Sequence, residues 1–228
     1  MSDPLPRQPE PEYMDDRAEA EAYAVADFAD VNQAFVDRLI ELVGPRERLD
    51  AVDLGTGPAD IPIRVVRARP GWYVTAVDAS AAMLAVARHA VRGAGLDRSI
   101  PLVLSDAKRL PLADASFDVV FSNSILHHIT DTAAFWCQVR RLARPGAVVL
   151  LRDLARPDTA DDARAIVRRY AGGESDLLQQ EFYRSLLSAY RPDEVRRQLT
   201  DAGLTTLRVQ RITDRHLDIF GAVPADFV

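Results

Sequence analysis

From residue 49 onward, short apolar runs and amphipathic stretches take turns along the chain. The runs LDAVDL (49–54), WYVTAVD (72–78), PLVLSD (101–106), FDVVFSN (117–123) and AVVLLRD (147–153) are nearly continuous in apolar residues. That is the pattern of strands buried on both faces of a parallel sheet. Between them, 58–69, 80–93 and 131–143 read as helices, and one loop-like segment precedes the fourth strand. Strand–helix alternation predicts an α/β fold with a doubly wound, mostly parallel sheet. Upstream, Tyr23, Phe28, Val31, Phe35, Leu39 and Leu42 fall at three- and four-residue spacings, which predicts one or two amphipathic helices ending at Gly44-Pro45. After 153 the chain reads as helical, with starts at Pro157-Asp158, Ser175 and Pro192-Asp193. It closes on LTTLRVQRIT and RHLDIF, which read as an antiparallel pair at the sheet edge. The expected organisation is an N-terminal extension with helices over 1–44, on the lid or substrate side, and a main domain over 45–228 with a helical insertion at about 154–203.

Composition narrows the function classes. At 228 residues one well-buried domain suffices, and the 48% hydrophobic and 27% charged content is that of an ordinary globular protein. The N-terminal stretch is acidic, proline-punctuated and without the apolar core of a secretory signal, so a cytoplasmic location and no membrane partner are expected. A net charge of -6 gives no field to gather a polyanion, and nucleic acid is not an expected partner. The arginine clusters in the helical segments read as solvated faces. The single cysteine, Cys137, reads as a small buried apolar residue on a helix. No Cys, His and acid cluster shows metal-ligand spacing, so no metal is expected. The apolar N-terminal helices could pair with a second copy.

The chemistry concentrates at the strand tips. AVDLGTGPADIPIRV (51–65) runs from a strand ending in Asp53 through Gly55 and Gly57 into a helix, where a parallel sheet binds its ligands. The glycines permit a sharp turn and close approach of a ligand to the main chain. Position 60, where a dinucleotide fingerprint wants a third glycine, is Asp60, so an anionic diphosphate would meet Asp53 and Asp60; a phosphate-free, positively charged ligand suits the turn better. Asp78 ends the second strand, placed to accept from both ribose hydroxyls, and Asp106 with Ala107 follows the third, placed for an adenine amino group and its ring. The fourth strand ends at Asn123.

The motifs AVDLGTGPAD, VTAVDAS, LVLSDAKRLPLADASFDVVFSNSILHHI and LARPGAVVLLRD resemble the class I S-adenosylmethionine-dependent methyltransferases over roughly 45–155, most of all the branch containing the ubiquinone and menaquinone C-methyltransferases and many small-molecule enzymes. The resemblance implies a three-layer fold on a seven-stranded sheet whose last hairpin is antiparallel. It implies S-adenosyl-L-methionine as cofactor, S-adenosyl-L-homocysteine as product and a small-molecule methyl acceptor. It places Asp53, Gly55, Thr56 and Gly57 around the aminoacyl part, Asp78 and Ala79 at the ribose, Asp106 and Ala107 at the adenine, and Asn123 nearby. The Pro58-Ala59-Asp60 entry to the helix departs from many relatives.

His127 and His128 follow the fourth strand and are the candidate catalytic residues, either able to serve as a general base. The Asn123-Ser124-Ile125-Leu126 sequence lacks the Asn/Asp-Pro-Pro-aromatic motif of enzymes acting on DNA bases or glutamine amides. Acceptor-lining candidates are Tyr13, Met14, Tyr23, Tyr183 and the Asp214-Arg215-His216 cluster, with Arg152-Asp153 at the tip of the fifth strand. Two rival readings are a nicotinamide-dependent oxidoreductase on a similar sheet and a non-catalytic binding subunit. Asp60 and the absence of an evident Tyr-x-x-x-Lys pair weigh against the first.

Overall fold

The computed structural model describes residues 5–11 and 28–224; Tyr13, Met14 and Tyr23 lie outside them. The elements run α1 (Ala29–Val43), β1 (Leu49–Leu54), α2 (Asp60–Ala68), β2 (Trp72–Asp78), α3 (Ala81–Gly93), β3 (Leu102–Leu104), β4 (Phe117–Asn123), α4 (Thr132–Leu142), β5 (Ala143–Leu154), α5 (Ala160–Ala171), α6 (Asp176–Ser188), α7 (Pro192–Asp201), β6 (Arg208–Arg211) and β7 (His216–Ala222).

The strands form one seven-stranded sheet in the order β3-β2-β1-β4-β5-β7-β6, with β7 antiparallel to both of its neighbours. Alternate residues of each central strand face opposite layers. Ala51, Val74, Ala76, Val119 and Phe121 pack on α1, α2 and α3. Val52, Val77, Val120 and Val149 pack on α4 and α7. Helices α5 and α6 build a smaller cluster of their own around Ile166, Val167, Leu186 and Leu187.

The two closing strands form the expected antiparallel pair at the sheet edge, with β7 between β5 and β6. The burial of the two strands explains the order. Leu217 and Ile219 of β7 are fully buried, whereas Arg208, Gln210 and Arg211 of β6 are exposed, and charged residues suit an edge that must not recruit another strand. Two details differ from the sequence expectation. The third strand stops at Leu104, so Asp106 sits in the loop beyond it. Cys137 is exposed on α4, since the buried stripe of that helix runs through Phe135, Trp136, Val139 and Leu142.

Candidate functional site

Strand order reverses between β1 and β4, and the C-terminal ends of the parallel strands open there into a cavity of about 420 Å³, the size of a small-molecule site. All nine expected cofactor positions border it: Asp53, Gly55, Thr56 and Gly57 after β1, Asp78 and Ala79 after β2, Asp106 and Ala107 beyond β3, and Asn123 ending β4.

The two glycines do different things. At Gly55 (φ +75°) an added Cβ would fall 2.0 Å from Cγ2 of Ile125, so the space belongs to a side chain of the β4 loop rather than to a ligand. At Gly57 (φ +54°) nothing lies within 4 Å. Gly55→Ala is therefore expected to cost about 2–4 kcal/mol through overpacking and left-handed strain. Gly57→Ala should leave a folded protein with an altered cavity. Denaturation midpoints of the two variants, set beside ligand affinities, check the contrast.

The amide groups of this turn are already used. Gly55 and Thr56 N–H donate to the Val77 carbonyl at 2.8 and 2.9 Å, and Gly57 N–H donates to Asp78 Oδ2 at 2.8 Å. Ser80 N–H donates to Asp78 Oδ1 at 2.9 Å, so both carboxylate oxygens are aimed by main chain. A pyrophosphate would find these donors taken. Asp60 is also committed: its Oδ2 accepts from Arg64 at 2.7 Å and from Asn32 at 2.9 Å, joining α1 to α2.

Asp53 is 2% exposed and has no cationic partner among the described residues. Burial pushes its carboxyl up to about 7, and the Asp78 charge adds to the shift. The Thr56 hydroxyl, buried without a well-formed hydrogen bond, softens that shift only in part. Burial also raises Asp78, opposed by the backbone N–H groups of Ser80, Gly57 and Ala79. A cavity wall holding an uncompensated buried acid, an orphaned hydroxyl and occupied amides fits a cationic ligand without phosphate. Asp106 is less free: Lys108 N–H donates to its Oδ1 at 2.8 Å and Lys108 Nζ lies 3.0 Å from its Oδ2.

The histidines part company. His128 borders the cavity; His127 does not. His127 is 4% exposed, its Nδ1 2.6 Å from Asp153 Oδ1. Burial alone would lower its pKa, but the carboxylates of Asp153 and Glu10 outweigh that and hold it above the ordinary histidine value. An imidazole held on a buried carboxylate in this way ties the loop after β4 to β5. Of the two candidate bases, only His128 borders the cavity. Burial and the adjacent His127 charge push His128 down to about 4, so it is neutral at physiological pH. Its Nδ1 lies 3.0 Å from the Pro11 carbonyl, which assigns the ring proton to Nδ1 and leaves Nε2 as an acceptor.

Other candidates lie away from the cavity. Arg152 pairs with Asp218 through two bonds of 2.7 and 2.9 Å, and Asp153 with His127. Tyr183 packs on the α5–α6 cluster. Asp214 accepts from Tyr170 and Arg169, and the Arg215 guanidinium stacks 3.3 Å from the Tyr170 ring centre.

Sequence reasoning missed Glu10. Residues 5–11 form a strap across the helical insertion, where Gln8 N–H donates to the Leu187 carbonyl and Arg7 reaches the carbonyls of Ser188 and His127 while lying 4.1 Å over the Tyr190 ring. That strap seats Glu10 against both histidines, at 3.5 Å from His127 and 3.3 Å from His128. No local pattern could reveal a contact across more than a hundred residues of chain.

With this geometry established, the relatives are informative. The methyltransferase domain family matches residues 52–151, the span that holds all nine expected cofactor positions and both histidines. Over those residues the chain is similar to a methyltransferase domain. Within the curated relatives, a demethylmenaquinone methyltransferase of Roseiflexus sp. (strain RS-1) is 33% identical over 118 residues, 52% of this chain and 48% of that protein. The chain spans about half the length of the first curated relatives it matches. Among solved structures, a SAM-dependent methyltransferase from Aquifex aeolicus superposes with a TM-score of 0.68 at 18% identity, covering 91% of this chain and 98% of that one. A phosphoethanolamine N-methyltransferase 2 from Haemonchus contortus, in complex with S-adenosyl-L-methionine, does so at 0.69 and 19% identity, covering 93% and 58%. The chain shares their fold.

Proposed function

We propose that the protein transfers a methyl group from S-adenosyl-L-methionine to a small-molecule acceptor, leaving S-adenosyl-L-homocysteine. The observation that carries this reading is the buried Asp53, without a cationic partner among the described residues, in one cavity with Asp78 and a glycine turn whose amides are taken. The cofactor supplies an electrophilic methyl on a sulfonium. Asp53 would meet its ammonium group, and the open face of Gly57 would admit the aminoacyl part. Asp78, held by two main-chain N–H groups, would take the ribose hydroxyls with its remaining lone pairs. Asp106 and Ala107 would border the adenine.

In-line displacement depends chiefly on holding the acceptor close and aligned. Asn123 and His128 border the cavity beyond β4, where an acceptor would approach. Neutral His128 offers Nε2 to an acceptor proton; with a pKa of about 4 it orients that proton more than it removes it. The occupied amides weigh against the nicotinamide-dependent reading. Residues 1–44 would supply the lid and acceptor side. A cytoplasmic protein without nucleic-acid or membrane partners completes the proposal; among the described residues no helix is long and apolar enough to cross a membrane. Pairing of two copies through the N-terminal helices is part of the same proposal.

Calorimetry with S-adenosyl-L-methionine and with NAD is the test. Only the former should bind at micromolar levels. Asp78→Ala should weaken it by about 2–3 kcal/mol, roughly 30- to 150-fold, through loss of a charge-assisted hydrogen-bond pair. Tight NAD binding, or unchanged affinity in the variant, would count against the reading.

A further inference from the structure

Behind the cavity wall, three side chains from distant parts of the chain converge. Glu10 Oε1 lies 3.5 Å from His127 Nε2 and 3.3 Å from His128 Nδ1, and the three atoms lie within 4.8 Å of one another. Zinc bonds of about 2.0–2.1 Å at a tetrahedral centre hold neighbouring ligand atoms roughly 3.3–3.4 Å apart. Two of the three separations already match. The side chains are 8%, 5% and 18% exposed, so the cluster is sheltered from water.

The surroundings are those of a prepared ligand set. His127 directs Nδ1 at Asp153 Oδ1, leaving Nε2 for the Glu10 side, and Asp153 is fixed by the N–H groups of Leu126 and Leu154 at 2.6 and 2.7 Å. A carboxylate behind an imidazole in this way orients it and raises its basicity toward a metal ion. The His127 carbonyl is anchored as well, accepting from Ser188 Oγ at 2.6 Å and from Arg7 at 2.9 Å. Without an ion, Glu10 faces His127 directly and His128 Nδ1 donates to Pro11; an ion would displace both protons.

We propose that Glu10 Oε1, His127 Nε2 and His128 Nδ1 bind one divalent ion of the zinc type, clasping residues 5–11 onto the loop after β4. The fourth position is left to water. Metal on Nδ1 leaves the ring proton of His128 on Nε2, so a filled site presents a hydrogen-bond donor to the cavity where an empty one presents an acceptor. The site stands independently of methyl transfer.

The experiment is titration of metal-free protein with Zn²⁺ by calorimetry and with Co²⁺ by visible spectroscopy. Expected are one equivalent bound at micromolar or tighter affinity and the intense bands of a tetrahedral cobalt centre. Glu10→Gln should weaken binding roughly a hundredfold or more. His89→Ala, at an exposed histidine on α3, should leave it unchanged. Should Glu10→Gln fold poorly, the imidazole nitrogen shifts of wild-type His127 and His128 on zinc addition decide the question in its place. No stoichiometric binding, unmoved histidine shifts, or binding that survives Glu10→Gln or disappears with His89→Ala would overturn the proposal. Calorimetry with S-adenosyl-L-methionine on metal-free protein keeps this outcome separate from that of the function proposed above.

Discussion

Asp53→Asn is expected to make the unliganded protein more stable at neutral pH while sharply weakening its hold on a cationic ligand. Asp53 carries a folded-state pKa of about 7 against an ordinary aspartate value of 3.8. Between those values the folded protein keeps a proton that the unfolded chain has lost, so stability falls as pH rises from about 4 to 7 and stays low above 7. The gap corresponds to about 3–5 kcal/mol at pH 8. Asparagine removes that titration. Denaturation at pH 5 and pH 8 should show wild type losing about 2–3 kcal/mol between them and the variant losing much less. Ligand affinity carries the opposite sign. A cation favours ionised Asp53, so wild-type binding should strengthen up to about pH 7 and level off, and asparagine should abolish that rise. An unchanged pH profile in the variant would reject Asp53 as the cation's partner.

Asp153→Ala should be the most destabilising single change in the chain, by about 3–5 kcal/mol, because it strands a buried imidazole and two main-chain N–H groups at once. The pH dependence follows from the two partners. His127, raised in the folded state, contributes stability that is complete below about 6.5 and is lost as pH climbs through its folded value. Asp153, whose pKa burial would raise but the His127 charge and the two N–H groups lower, contributes stability present above about 3.8 and lost as pH falls through its folded value. The variant's deficit should accordingly be largest near pH 5–6 and shrink on the alkaline side. Urea denaturation at pH 5.5 and pH 9 measures it, and an equal deficit at both would mean that the pair is not ionic.

The sheet and the cavity wall were legible in the sequence because both are local. Strands β1, β2 and β4 carry their burial in contiguous residues, and Asp53, Asp78 and Asn123 mark their tips directly. What escaped was set by contacts far apart in the chain. The different fates of His127 and His128 depend on Asp153 and Glu10, 26 and 117 or more residues away. Lys108 on Asp106 was closer to hand: the residues are two apart, and the pairing bears on how far Asp106 can serve an adenine.

The strap of residues 5–11 also fixes an order of events. Its partners include the carbonyls of Leu187 and Ser188, so it cannot dock until the chain has been made well past those residues, although it is itself made about 180 residues earlier. Strand pairing from β1 to β5 can be complete while the strap is still waiting, which makes its docking a closing step of biogenesis. A bulky fusion placed just ahead of residue 5 would burden that step and leave the central sheet intact.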